Sequence, residues 1–313
     1  MRVHFDFGED VPDLLLDNLM KGFAPDVSWW PARQHVNSVA PTLGTPMIQC
    51  WGTPALGAAV ETRGWLSQAD QDDVLIVTHR VDKPDGERLL TLSRRVLKLV
   101  AIDAYDKPCF AWRDAAKAAG FKVFAREVPR DGEIAIDYAF NPLWTPPPRL
   151  MRDRLIGLLF VGDMHVGLRQ VHAQALVDHS RCSVIGGDYT GGPLRLSFAE
   201  WQTALSCAQV VVVPHGAGEA TYRLWEAAAA GCALLVERFV TRPAPEGLVE
   251  GETCLFFDGT ADPDAVGGIR AVAQRLLYEP GLSTRLGMAA REEAWVRHTP
   301  EAQAQRVLRE IAR

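Results

Sequence analysis

The chain has 313 residues, 48% of them hydrophobic and 23% charged, with a formal net charge of -6. That length suffices for two ordinary α/β domains, each with its own core. The acidic balance argues against a protein that lives on DNA, RNA or an anionic membrane.

The N-terminus, MRVHFDFGEDVPDLLLD, lacks the basic, apolar and small-residue succession of a signal peptide. The longest apolar runs, such as Ala227–Val236, reach about half the length of a bilayer span. A cytoplasmic location is the expectation. Strand-like runs in the first half are Arg2–Phe7, Met47–Trp51, Val74–His79, Leu97–Asp103 and Lys122–Arg126. Helical stretches fall between them at Pro12–Gly22, Pro54–Gln68, Glu87–Arg95 and Ala111–Ala119. Strands alternating with helices predict a largely parallel sheet covered on both faces.

The run Asn141-Pro-Leu-Trp-Thr-Pro-Pro-Pro148 breaks this pattern. Proline fixes φ and removes a donor, so the run continues neither a helix nor a central strand. It is read as an inter-domain linker. The alternation then restarts, with strands at Leu155–Val161, Cys182–Gly186, Gln209–Val213, Ala233–Glu237 and Thr253–Phe257. The intervening helices are Gly167–Val177, Phe198–Cys207 and Ala220–Ala230. From Pro263 to Arg313 the pattern is helical, broken at Pro280-Gly281 and Thr299-Pro300. The expected domains are 1–148, on the acceptor side, and 149–298, with a helix over 299–313 returning to the first. Ligands of open α/β sheets bind beyond the carboxyl ends of the strands, which directs attention there and to a cleft between the domains.

The segment Val211–Val236 carries the strongest signal. A buried strand leads into a turn with Gly216 and Gly218, then a helix, then a second buried strand. Such a turn brings backbone N–H groups to a helix N-terminus and makes an anion site. Glu219, Arg223 and Glu226 are spaced by four and three and share one helix side. An arginine there balances a phosphate or pairs with Glu219. A carboxylate at 226 has two acceptor oxygens and suits a cis-diol. Gly231 is placed to stop the helix.

The pattern P-H-G-A-G-x-x-T-x-R-L-W-E-A-x-x-x-G-C, Pro214 to Cys232, resembles the donor-site signature of GT-B glycosyltransferases, and most of all the group 1 and exostosin-like families. Phe160-Val-Gly162 with Arg169, Ser197–Trp201 and Glu250–Phe257 resemble other parts of the same signature. The resemblance covers about Leu155 to Arg313. It implies a GT-B fold, two Rossmann-like domains facing each other across a cleft. It also implies a glycosyltransferase that takes a nucleotide-sugar and needs no metal. Glu226 would then bind the ribose, and the loop His215, Gly216, Ala217 and Gly218 would face the diphosphate. Gly162, Arg169 and Arg223 would line the same site, and Tyr189 would stack on the base. Many group 1 enzymes carry two glutamates eight apart, but residue 218 here is Gly, so Glu219 is the candidate for the catalytic role of the first.

An inverting transferase needs a base to deprotonate the acceptor hydroxyl. His79, Asp103 and Asp6, at predicted strand ends of the N-terminal half, are the candidates. Trp29, Trp30 and Trp51 are candidates for an aromatic acceptor surface. Lys122 and Arg126 are read as structural. His165 and His172 lack a third ligand at metal spacing, and no D-x-D triplet occurs, so no metal is expected. The six cysteines are scattered without C-x-x-C spacing, which predicts neither a disulfide framework nor a zinc site. Three alternatives stand beside the transferase: a GT-B-like epimerase or phosphorylase, a non-catalytic nucleotide-sugar-binding protein, and a transferase acting on modified DNA. The acceptor is unspecified.

Overall fold

The computed structural model describes residues 3–6, 27–29, 74–79, 86–94, 98–104, 108–140, 142, 145–164, 166–177, 181–186, 196, 198–265 and 267–313. The expected elements at Met47–Trp51, Pro12–Gly22 and Pro54–Gln68 lie outside these residues, as do Trp30, Trp51 and His165. The chain divides into two compact units, 1–137 with 300–313, and 138–299.

The first unit holds strands β1 (Val3–Asp6), β2 (Val27–Trp29), β3 (Val74–His79), β4 (Lys98–Asp103), β5 (Lys122–Ala125) and β6 (Ile134–Ala135). They form one parallel sheet in the order β2-β1-β3-β4-β5-β6. The short strands β2 and β6 escape a reading from hydrophobic runs, because two or three residues carry too little periodicity. Val74, Leu75, Ile76, Val100, Ala101 and Ile102 are fully buried, which is why the central strands are continuously apolar rather than alternating. Helices α1 (Gly86–Ser93) and α2 (Phe110–Ala118) follow β3 and β4. The final helix of the chain also belongs to this unit: Lys122 Nζ donates to the Glu310 carbonyl, and Arg306 lies 4.0 Å from Asp137.

The second unit holds β7 (Ile156–Gly162), α3 (Arg169–Val177), β8 (Cys182–Gly186), α4 (Phe198–Cys207) and β9 (Ala208–Val213). α5 (Tyr222–Ala229), β10 (Ala233–Glu237), β11 (Leu255–Phe257), α6 (Ile269–Tyr278) and α7 (Leu282–Arg297) complete it, and α8 (Pro300–Ala312) is the final helix already placed in the first unit. The five strands run parallel in the order β11-β10-β9-β7-β8. β9 is central between β10 and β7, and its four consecutive valines are buried on both faces. Gly231, at φ 75°, ends α5 in the left-handed conformation that glycine adopts at least cost. Tyr138, Ala139 and Phe140 are buried in this unit, where Phe140 N–H donates to the His298 carbonyl at 3.0 Å. The proline run 146–148 therefore lies inside the second unit, after the chain has already joined it.

One buried cation organises the end of the second unit opposite the site. Arg154 is 2% exposed. Its guanidinium donates to the carbonyls of Ala208 and Ala230, each at 2.6 Å, and reaches Cys232 Sγ at 3.0 Å. It thereby serves a carbonyl at the end of α5 and one at the start of β9. Arg154→Met would leave those acceptors buried without donors. The expected loss is about 3–5 kcal/mol of stability, read as a lower urea midpoint for the second unit. An unchanged midpoint would show that water replaces the guanidinium.

Among the described residues, Cys109, Cys182, Cys207, Cys232 and Cys254 form no disulfide. No helix among the described residues is long and apolar enough to cross a membrane. Nor do the described residues hold a group of three or more His, Cys, Asp or Glu side chains arranged for a metal ion.

Candidate functional site

The carboxyl ends of β7, β9 and β10 bring the predicted donor residues together. Gly162 ends β7, and Arg169 opens α3 seven residues later. Arg169 is 5% exposed; its Nε donates to the His215 carbonyl at 2.7 Å, and its Nη1 to the Asp163 carbonyl at 3.4 Å. It thus ties the end of β7 to the loop after β9. The outer edge of the guanidinium faces two glycines. A Cβ built on Gly162 would lie 3.2 Å from Arg169 Nη1 and 3.5 Å from Arg223 Nη1. One built on Gly216 would lie 3.3 Å from Arg169 Nη2. Two guanidinium groups therefore converge where the backbone carries no side chain. Among the described residues, no carboxylate lies within salt-bridge distance of Arg223. The arrangement concentrates positive charge at this point.

The turn contributes differently from the sequence-based expectation. The His215 N–H donates to Glu237 Oε2 at 2.7 Å, and the Gly216 N–H to the Gly218 carbonyl at 2.8 Å. Those two donors are already engaged, so the arginines rather than the first N–H groups of the loop carry the positive face. Ala217 is exposed at the tip.

Glu226 lies on α5 between buried Trp225 and Ala227. Burial pushes its carboxyl up to about 7, opposed by a hydrogen bond from Trp201 and by the charge of Arg223. The Trp201 indole N–H donates to Glu226 Oε2 at 3.0 Å. Glu226 thus has one oxygen fixed by α4. Trp201 was legible only as part of a resembling stretch. No spacing rule in one sequence pairs an indole on one helix with a carboxylate on the next but one element.

Glu219 has another task. Its Oε1 accepts the backbone N–H groups of Val240 and Thr241, each at 2.9 Å. This carboxylate ties the donor loop to the segment after β10.

In the first unit, Asp103 ends β4 and is fully buried. Its Oδ2 accepts from Arg113 Nε at 2.6 Å and from the Cys109 N–H at 3.0 Å. Arg113 also donates to the Glu127 carbonyl at 2.7 Å, the Val128 carbonyl at 2.9 Å and Glu133 Oε2 at 3.0 Å. Glu133 resists burial: bonds from Lys117 and Arg130 and the charge of Arg113 hold it at about 2. Asp103 is therefore the anchor of a buried ion network. His79 and Asp6 stand at the carboxyl ends of β3 and β1, as the sequence places them. Tyr189 lies outside the described residues.

Comparison with known proteins adds an independent finding. Residues 169–309 match the model of a family described as glycosyl transferase-like. No curated protein matches the chain. Among solved structures, HepE of Anabaena in complex with UDP-glucose superimposes with a TM-score of 0.53 and 12% identity, over 99% of this chain and 98% of that one. The same protein with UDP gives 0.51 and 11%, over 100% of both chains. The spinosyn forosaminyltransferase SpnP gives 0.52 and 14%, over 100% of both. The matched family segment begins on Arg169 and contains the loop, Arg223 and Glu226.

Proposed function

We infer that this chain, a glycosyltransferase with the GT-B fold, transfers a sugar from a nucleotide-sugar held on its second unit to an acceptor hydroxyl. The observation that carries the reading is the convergence of Arg169 and Arg223 on Gly162 and Gly216, one turn of helix from the half-open carboxylate of Glu226. A nucleoside diphosphate has both complements, a doubly charged diphosphate and a cis-diol. HepE, with UDP or UDP-glucose bound, has the same fold and supports this ligand class.

The residues divide the work as follows. Glu226 accepts hydrogen bonds from the ribose hydroxyls and sets the position of the nucleotide. Arg169 and Arg223 bind the diphosphate. As the glycosidic bond breaks, negative charge grows on the leaving oxygen, and preorganised guanidinium groups stabilise that charge more than they stabilise the bound donor. In this proposal the two arginines supply the positive charge that a divalent ion would otherwise provide. The domain boundaries and the acceptor role of the first unit are part of the same proposal. So are a cytoplasmic location and His79 or Asp6 as the acceptor base.

A panel of UDP, GDP, ADP and dTDP, with their sugar forms, tests this by thermal shift. A ligand that binds only the folded state stabilises it by about 2.7 kcal/mol at a hundredfold excess over Kd. One nucleotide class is expected to raise Tm by several degrees. Its sugar form is expected to release free nucleotide faster when an acceptor is added. Silence across the whole panel would refute the donor site. Binding with no release under any acceptor would leave a binding protein rather than a transferase.

A further inference from the structure

Glu226 is held at both ends of its side chain by aromatic neighbours. Its neighbour Trp225 is 2% exposed and stacks on His298, with 3.3 Å between ring centroids and 11° between planes, which fixes α5 at this point. At the far end of the Glu226 side chain, the Trp201 indole N–H donates to Oε2 at 3.0 Å. That bond spans 25 residues and joins α4, before β9, to α5, after it. The last torsion of a glutamate is broad, so a carboxyl without a donor turns over a wide range. An indole has one N–H and no acceptor, so its hydrogen bond assigns one oxygen and sets the plane of the group.

The same bond selects between protonation states. An ionised carboxyl offers acceptors alone, whereas a protonated one turns one oxygen into a donor. Oε2 already accepts from the indole, so the proton would sit on Oε1 and remove an acceptor from a ligand. Burial pushes the carboxyl up to about 7, and the Trp201 bond and the charge of Arg223 oppose that rise. The other charged groups around α5 are engaged elsewhere or face solvent. Arg169 of α3 holds the His215 carbonyl, Glu237 of β10 accepts the His215 N–H, and Glu219 accepts from Val240 and Thr241. On α7, Arg291 donates to the Ala229 carbonyl at 3.1 Å, Glu293 accepts from Arg297 at 2.6 Å, and Glu292 is exposed. His298 Nε2 lies 3.0 Å from the Glu246 carbonyl, and Glu200 of α4 is exposed.

We propose that Trp201 is a positioning residue of the donor site: its indole N–H sets the plane of the Glu226 carboxyl and keeps that group an acceptor for the ribose hydroxyls. This rests on the donor-site reading above. A ligand that brings hydroxyl donors binds the ionised carboxyl in preference to the protonated one. Affinity therefore rises with pH up to about 7, where Glu226 ionises in the free protein, and is level above that. Without the indole donor the ionised form loses a stabilising bond, and the inflection moves to higher pH. A tryptophan that only filled space beside α5 would affect stability and leave the inflection where it is.

The test is calorimetry of the full chain with UDP-glucose, or with the sugar form of whichever base the panel selects, from about pH 5.5 to 8.5. The diphosphate diester does not titrate in that range, so an inflection belongs to the protein. Trp201→Phe keeps an aromatic ring and removes the donor. It is expected to weaken binding about tenfold at pH 7 and to move the inflection up by about one unit, as for a lost hydrogen bond to a charged group. In Glu226→Gln the inflection is expected to vanish, and adding Trp201→Phe should weaken binding by no more than about threefold further. Should Trp201→Phe fail to fold, the indole N–H resonances of the wild type decide. The one that moves in Glu226→Gln is expected to follow pH with the same midpoint as the affinity. The absence of such a resonance, or one inflection shared by wild type and Trp201→Phe, would overturn the proposal. Binding by the wild type that does not vary with pH would overturn it too, while leaving the donor site intact. Failure of the whole nucleotide panel to bind would overturn both.

Discussion

Glu226→Gln is expected to weaken nucleotide binding about 10–100-fold while making the protein more stable at pH 8. The two effects share one cause. Burial raises the carboxyl of Glu226 from 4.5 to about 7, so its ionised form is disfavoured in the folded chain. In the unfolded chain the same group ionises near its ordinary value. Folding is therefore progressively opposed as pH rises from about 4.5 to 7, and the penalty stays constant above that. At pH 8 the full penalty is present, and at pH 4 it is absent. Each pKa unit corresponds to about 1.4 kcal/mol. Because the side chain keeps some contact with solvent, about 1–2 kcal/mol is the realistic gain on removing the charge. Glutamine retains an acceptor for the Trp201 indole, so the packing of α4 on α5 survives. What it loses is the charged acceptor for the diol, where hydrogen bonds to a charged group contribute about 1.5–3 kcal/mol. The measurement is a pair of melting curves at pH 4 and pH 8 with calorimetry of UDP and 2′-deoxy-UDP. Removing the 2′ hydroxyl should weaken binding to the wild type and change little in the variant. A variant that binds UDP normally, or that gains as much stability at pH 4 as at pH 8, would separate Glu226 from the diol or its charge from the penalty.

That a stabilising substitution should destroy binding fits the way the residue is built into the fold. A carboxylate beside Trp225, on a helix whose other neighbours are alanines, is a poor choice for packing. Its cost is offset in part by one indole hydrogen bond and one nearby cation. Sites that bind polar ligands commonly retain such destabilised groups.

The placement of these residues at one strand end was legible in the sequence for a physical reason. A strand, a glycine turn and a helix are contiguous, so the spacing of Gly216, Arg223 and Glu226 fixes their mutual geometry through local backbone alone. Arg169 was legible because it opens the helix after the neighbouring strand. The partners that come from distant segments were not. Glu219 reaches Val240 and Thr241 across 21 and 22 residues of chain, and Glu237 reaches His215 across 22. Nothing in the spacing of one sequence foretells where those loops fold back. Asp103 looked like a base because it ends a strand, where site residues gather. Its true partner, Arg113, is ten residues on in the next helix and takes the carboxylate for the core. The alternation of strands and helices, by contrast, follows from local periodicity, so most described elements in both units fall within a few residues of their expected positions. The shortest strands escaped.

The two arginines of the cradle should separate cleanly, because they are held in different ways. Arg223 sits in the first turn of α5, meets the edge of the site with Nη1, and forms no ion pair with a described carboxylate. Arg223→Met removes a charge that, in the unliganded fold, lies over the Tyr222 ring and acts on Glu226 only through space. It is expected to weaken UDP binding about 10–100-fold, as for a charge-assisted phosphate contact of about 1.5–3 kcal/mol, with Tm moved by no more than about a degree or two. Arg169 is nearly buried and donates to the His215 and Asp163 carbonyls. Arg169→Met therefore removes the same kind of ligand contact and also leaves the loop carrying His215 without its tether. Binding should fall at least as far, and stability should fall by about 2–3 kcal/mol, the cost of leaving buried acceptors unpaired. The comparison is decisive in both directions. If Arg223→Met loses stability as Arg169→Met does, its guanidinium is a structural group and the cradle holds one cation rather than two. If both variants keep full affinity for UDP, or lose affinity for UDP, UMP and uridine to the same small degree, the diphosphate lies elsewhere, and the convergence of two guanidinium groups on Gly162 serves the fold alone.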